Sequence, residues 1–250
     1  MVTGGGRGIG SAVARALVRE GASVVVSART SGEIEAVADG LRQAGGQAWS
    51  VVCDVTDPEQ IRRLAEEANG HLGSVHILVN SAGIASSAPL KSIELDEWNR
   101  LMAVNATAPF LCTQAFMPGM MSAGWGRVIT IASVAGKVGH PYVAAYSASK
   151  HAVIGFTRAV AAEVAGKGVT VNTVCPGYVD TPMTDQSVAR IANRTGMSEA
   201  DAREHLNLLN PQGRLIEPEE VAHQVINLCD PLARGINGQA VVVDGGAVQS

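Results

Sequence analysis

Charge is scarce in this chain. Only 17% of its 250 residues are Asp, Glu, Lys or Arg, and 19 basic residues face 23 acidic ones. The formal net charge of −4 provides no basic face, so nucleic-acid binding has no electrostatic support. Aromatic residues are also few, at 4%. No run approaches the roughly 18 apolar residues that a membrane-spanning helix needs. The start of the chain carries no charged-then-apolar signal pattern, and a cytoplasmic protein with no membrane partner is expected. Cys53, Cys112, Cys175 and Cys229 are far apart, with no CxxC pair. Each sits in an apolar stretch, so reduced, buried thiols are expected rather than disulfides or a metal site. Internal repeats, low-complexity tracts and linkers are missing too, which predicts a single domain over residues 1–250.

What the chain does have is apolar residues, at 46%, and 28 glycines. Short runs rich in β-branched residues recur at Val24–Val26, Trp49–Val52, Ile77–Val79, Val128–Ile131, Val169–Val174 and Ala240–Val243. They read as strands apolar on both faces, the mark of a parallel sheet covered on both sides. Helical stretches at Ser11–Glu20, Ser31–Ala44, Pro58–Gly70 and Ser147–Gly166 lie between them. This alternation predicts an α/β fold with a Rossmann-type, doubly wound parallel sheet. Ligands are then expected at the C-terminal ends of the strands. Only Met1-Val2-Thr3 precede the first glycines, so the first strand is expected to be clipped or to start upstream. Residues 184–215 break the rhythm with short helical pieces and predict a helical lid.

Thr3-Gly4-Gly5-Gly6-Arg7-Gly8-Ile9-Gly10 ends the clipped strand and opens a helix. Bare glycines let a backbone approach a pyrophosphate, and a helix N-terminus favours its charge. Gly4, Gly6, Arg7, Gly8, Ile9 and Gly10 are therefore candidate dinucleotide contacts. The next strand ends Ser27-Ala28-Arg29-Thr30, with no acid to hold the ribose 2′-hydroxyl of NAD. Arg29 and Arg7 instead suit a 2′-phosphate, and Thr30 adjoins them. This favours NADP(H), with NAD(H) possible. Asp54 and Val55 follow the third strand, where Asp54 meets the adenine or belongs to the cap of the next helix.

Tyr146 and Lys150 stand four residues apart near a predicted helix start, which puts both side chains on one face. A phenol titrates near pH ~10, and a neighbouring ammonium brings it down toward useful acid/base range. Ser133 lies just past the Val128–Ile131 strand, where its hydroxyl can hold a carbonyl oxygen. Asn80-Ser81-Ala82-Gly83 ends another strand, and Asn105 lies in a helical segment expected beneath the same edge.

Thr3–Gly10, Asn80–Gly83, Asn105, Ser133, Tyr146–Lys150, Pro176-Gly177 and Val243–Gly246 follow in this order over nearly the whole chain. In this the sequence resembles the short-chain dehydrogenases/reductases, in their single-domain branch. The resemblance implies a catalytic tetrad of Asn105, Ser133, Tyr146 and Lys150, with Tyr as general acid/base and Ser steadying the oxygen. It implies that Lys150 lowers the Tyr pKa and holds the nicotinamide ribose, and that Asn105 keeps a water in a proton relay. It places Pro176, Gly177, Val179 and Thr181 at the nicotinamide, and Asn80, Ala82 and Gly83 by the adenine ribose. It further implies a homotetramer, which the apolar stretches Val153–Ala165 and Ala240–Val243 suit. Two departures stand out: Ser81 replaces a usual Asn, and His76 replaces a usual Asp ahead of its strand.

The function expected is NADP(H)-dependent reduction of a ketone to a secondary alcohol. The stretch 147–183 looks like β-ketoacyl thioester and polyketide ketoreductases. The lid looks more like 3-hydroxyacyl or 3-hydroxybutyrate dehydrogenases, many of which use NAD. The candidate substrate wall is Ser133, His140, Tyr142, Tyr146, Tyr178 and Met183. A dinucleotide sensor without catalysis is the alternative from another class, and an intact tetrad argues against it.

Overall fold

The computed structural model describes residues 1–249. Seven strands form one parallel sheet: β1 (Val2–Thr3), β2 (Val24–Ala28), β3 (Ala48–Val52), β4 (Ile77–Asn80), β5 (Gly126–Ile131), β6 (Val169–Pro176) and β7 (Ala240–Val243), in the order β3-β2-β1-β4-β5-β6-β7. The helices between them are α1 (Gly8–Arg19), α2 (Ser31–Gln43), α3 (Pro58–Leu72), α4 (Leu95–Met102), α5 (Ala108–Ala123), α6 (Ala144–Val164), α7 (Pro182–Thr195), α8 (Glu199–Leu208) and α9 (Pro218–Cys229). This is the doubly wound Rossmann-type fold that the alternation predicts. The chain winds outward from β1 to β3, then crosses back to β4 on the other side of β1. A crevice opens at that reversal, above the C-terminal ends of the strands.

Side-chain alternation explains the two-sided core. Val25, Leu78 and Val128 point to one face with Leu64, Cys112 and Phe116 of α3 and α5. Val24, Val26 and Ile129 point to the other with Val13, Ile34 and Val225 of α1, α2 and α9. All of β5 and β6 is buried. β3 departs from the expectation of strands apolar on both sides: it is an edge strand, and Val52 is 54% exposed. β1 has two residues, yet Val2 and Thr3 pair with both β2 and β4.

The cysteines are free thiols. Cys53, Cys112 and Cys175 are buried, but Cys229, at the end of α9, is only partly so, against expectation. Asp54 does not cap α3. Asp57 does, accepting hydrogen bonds from the Glu59 and Gln60 amides ahead of Pro58. Asp54 instead closes a local turn by accepting from the amide and hydroxyl of Thr56. His76 stacks edge-on with Trp125 where the resemblance would put an Asp.

The lid is α7 and α8, joined by their own small core of Val188, Ala202, Leu206 and Leu215. Arg203 of α8 bridges Asp180 and Asp185. No helix among the described residues is long and apolar enough to cross a membrane.

Candidate active site

The glycine loop is shaped by what it must avoid. Gly4 and Gly8 hold positive φ angles of 65° and 52°, which an L side chain rarely adopts. A Cβ on Gly10 would lie 2.2 Å from the Gly4 carbonyl oxygen, and one on Gly4 would lie 2.7 Å from the Ala82 backbone. Thr3 Oγ1 accepts hydrogen bonds from the Ser81 and Ala82 amides at 3.2 and 3.3 Å, so the glycine loop and the 81–83 loop are fixed together. The cap residue of α1, Arg7, gives no side-chain cap, and the first turn carries no acid. Free amides above a cradle that any Cβ would fill fit the pyrophosphate of a dinucleotide.

Where the adenine end is expected, Arg7 and Arg29 are both exposed. Arg29 makes no ion pair among the described residues, whereas Arg7 Nη1 lies 3.8 Å from Glu33 of α2. Thr30 caps α2 without a side-chain hydrogen bond, so its hydroxyl is uncommitted. Val55 is buried, and Ile9 lines the loop half-buried. Asn80 stands at the end of β4. Its side chain is buried and donates to Thr113 and Thr130 inside the fold, so only its backbone borders the crevice.

The chemistry-bearing side chains meet at the ends of β5 and α6. Ser133 follows β5, is 9% exposed, and accepts a hydrogen bond from the Ala135 amide at 3.1 Å. Tyr146 and Lys150 lie one turn apart in α6, with Lys150 Nζ 5.7 Å from the centre of the Tyr146 ring. Lys150 is 5% exposed and donates to the Ile131 carbonyl at 3.0 Å. Burial pushes its ammonium down to about 8. Burial also raises the Tyr146 phenol, and the hydrogen-bonding Ser133 hydroxyl only partly opposes this. The expected lowering of the Tyr pKa by Lys150 is therefore not seen. The ammonium sits over the ring and is committed to a carbonyl, and desolvation wins.

Asn105 lies in a π-helical turn, Ala103–Thr107, between α4 and α5. Its Oδ1 accepts from the Ile84 amide at 3.0 Å, and its Nδ2 donates to the Ile84 carbonyl at 2.9 Å and to Ser149 Oγ at 3.0 Å. Both amide hydrogens are engaged, and Oδ1 keeps a second lone pair. Ser149 Oγ in turn donates to the Tyr146 carbonyl at 2.7 Å. Asn105 thereby braces the first turn of α6 against the Gly83-Ile84 loop. Ser149 is a site residue that the sequence reading does not single out. Its signal is its place inside the Tyr-to-Lys turn, on the side facing Asn105.

The β6 end completes the crevice. Pro176 is buried, Gly177 packs on Asp244, and Val179 is bridged to Ile216. Thr181 reaches across to the glycine loop, where a Cβ on Gly8 would lie 3.2 Å from its methyl group. The rim residues are exposed: His140, Tyr142, Tyr178 and Met183. Tyr142 has a φ of 67°, a strained value for an aromatic residue, and its carbonyl accepts from the Ala88 amide at 2.7 Å. Arg194 of the lid donates to the neighbouring Ser87 carbonyl at 3.0 Å, a tie with no sequence signal. His151 bonds back to the Ser147 carbonyl on the surface of α6.

A parallel doubly wound sheet with this cradle and this Ser–Tyr–Lys group defines a nucleotide-dependent oxidoreductase. The family described as short chain dehydrogenase matches residues 1–192, and the chain belongs to that family. It is 38% identical to the 3-oxoacyl-[acyl-carrier-protein] reductase FabG of Vibrio harveyi, over 98% of this chain and 95% of the relative. It is 36% identical to the D-beta-hydroxybutyrate dehydrogenase of Rhizobium meliloti (strain 1021), over 98% and 96%. Among solved structures it is similar to a single-substitution variant of actinorhodin polyketide ketoreductase with NADPH, with a TM-score of 0.96 and 37% identity over 98% of this chain and 95% of that one.

Proposed function

We propose that this chain reduces a ketone of the β-ketoacyl thioester or polyketide type to a secondary alcohol, using NADP(H). The observation that carries the reading is the meeting of Ser133, Tyr146 and Lys150 beside a glycine cradle whose adenine end holds Arg7 and Arg29. The similarity to ketoreductases, one of them solved with NADPH, supports it.

The glycine loop and the amides of α1 bind the pyrophosphate, and Arg29 with Arg7 meets the 2′-phosphate. Thr30, Asp54 and Val55 border the adenosine, with Ala82, Gly83 and the Asn80 backbone behind its ribose. Pro176, Gly177, Val179 and Thr181 border the nicotinamide. NADP(H), when bound, supplies or accepts the hydride. The hydroxyls of Ser133 and Tyr146 hold the substrate oxygen between them. Tyr146 gives that oxygen its proton as negative charge develops there, and takes it back in alcohol oxidation. A phenol is protonated at neutral pH, which is the form reduction requires. Lys150 holds the nicotinamide ribose. Asn105, through Ser149, fixes the turn that carries the phenol. His140, Tyr142, Tyr178 and Met183 form the substrate rim. Self-association fits the exposed Phe110 and Met121 of α5, an otherwise apolar helix.

A second reading is an NAD-dependent 3-hydroxyacyl or 3-hydroxybutyrate dehydrogenase. The Arg7–Glu33 pair favours it, because Glu33 partly neutralises one of the two arginines. Initial rates of NADPH and NADH oxidation with acetoacetyl-CoA separate the two. Preference for NADPH is the expected result. Preference for NADH moves the function to the second reading.

A further inference from the structure

The adenine end holds an acid that the motif at the end of β2 does not reveal. Glu33 stands in the first turn of α2, three residues past the cap Thr30. Its side chain lies against the glycine loop, so a Cβ on Gly6 would meet its Cβ at 2.9 Å and its Oε2 at 3.2 Å. Its Oε1 is 3.8 Å from Arg7 Nη1. Arg29, on the same corner, has no ion-pair partner among the described residues.

We propose that Glu33 is a specificity-determining residue that competes with the 2′-phosphate for Arg7 and so narrows the preference for NADP(H) over NAD(H). The inference rests on the reading of Arg7 and Arg29 as the 2′-phosphate side of the site. A phosphate monoester that takes up Arg7 must first displace Glu33. A nucleotide with a free 2′-hydroxyl does not. Arg7 is largely open to water and Glu33 partly so, at 60% and 38% exposure, so the effect is modest and falls with salt. Glu33 acts through Arg7 and touches no reacting atom.

The test is calorimetric titration of the full chain with NADP⁺ and NAD⁺, with no substrate present. Glu33→Gln is expected to tighten NADP⁺ by about three-fold and leave NAD⁺ unchanged. Glu33→Lys, a second variant at this half-buried position, is expected to show the gain as well. The gain from Glu33→Gln is expected to vanish in an Arg7→Ala background and to shrink in salt of about 0.5 M, where screening is short-ranged. Equal tightening of both nucleotides, no tightening of either, or a gain that persists without Arg7 overturns the inference. Arg29→Ala in the same titration separates the two kinds of failure. If it weakens NADP⁺ selectively while Glu33→Gln changes nothing, only the role of Glu33 is lost. If Arg29→Ala is blind to the 2′-phosphate, the reading beneath it is lost as well.

Discussion

The two ends of the crevice are built in opposite ways. At the catalytic end, Ser133, Lys150 and Asn105 are buried, and each is held by a named backbone or side-chain partner. At the adenine end, Arg7, Arg29 and Thr30 are exposed, and the one ion pair there spans 3.8 Å. Buried polar groups are costly unless fixed, and once fixed they hold one geometry. Exposed charges exchange partners freely and act through a screened field. The geometry at the catalytic end is therefore rigid, while the long, exposed arginines at the other end stay open to small changes.

This contrast predicts the largest effects at the rigid end. Tyr146→Phe is expected to lower kcat by about a thousand-fold, the scale of a lost general acid, while NADP⁺ binding stays within about two-fold. Steady-state kinetics beside equilibrium titration checks this, and retained turnover removes Tyr146 from the proton transfer. Gly10→Ala comes next. Its new Cβ would sit 2.2 Å from the Gly4 carbonyl, and no flexible side chain is there to yield. Relief requires the loop backbone to shift, at a cost of about 2–3 kcal/mol. The melting temperature is expected to fall by roughly 5–10 °C for a chain of this size, with affinity for both dinucleotides lost together.

Residues that repeat a pattern are readable in advance, and residues that only complete one are not. The Val24–Val26 and Val128–Ile131 runs declare strands because a covered parallel sheet demands apolar residues on both faces. Tyr146 and Lys150 declare a shared face because the helix repeat fixes their spacing. Ser149 is different. Its worth comes from facing Asn105, 44 positions away, and only the packing of α6 on the π-turn brings the two together. Glu33 is an ordinary first-turn acid by sequence, and its place beside Arg7 emerges only when α2 is laid against the glycine loop. The Asn80 side chain is unreadable for a related reason. Its position at the end of β4 is as expected, but its side chain is drawn inward by Thr113 and Thr130.

Lys150 tests how much stability the rigid end gives up for function. Its ammonium falls from the usual 10.5 to about 8 because it is buried with a single carbonyl partner. The folded value lies below the unfolded one, so between about pH 8 and 10.5 the unfolded chain binds more protons. Stability from this group therefore rises with pH across that window, and the full cost of burying the charge is present below it. Lys150→Met is expected to abolish turnover yet raise stability at pH 7 by about 1–2 kcal/mol, part of the gain being offset by the orphaned Ile131 carbonyl. The difference between the two proteins should shrink as pH climbs from about 8 to 10.5 in denaturant titrations. A variant that is less stable at pH 7 shows that the carbonyl bond outweighs desolvation.

The smallest effect belongs to the flexible end. Arg29→Ala is expected to weaken NADP⁺ by about ten-fold, the scale of one charge-assisted contact, and to leave NAD⁺ unchanged. The reasoning is local. Arg29 is exposed and holds no partner among the described residues, so its removal opens no cavity and breaks no pair. Nothing in the fold depends on it, and the melting temperature should not move. The loss should also fade in high salt, because an exposed guanidinium acts across water. Equal weakening of both nucleotides would place Arg29 on the adenine or the pyrophosphate, contacts that do not distinguish NAD from NADP. A selective, salt-sensitive loss with unchanged stability is what a 2′-phosphate contact alone produces.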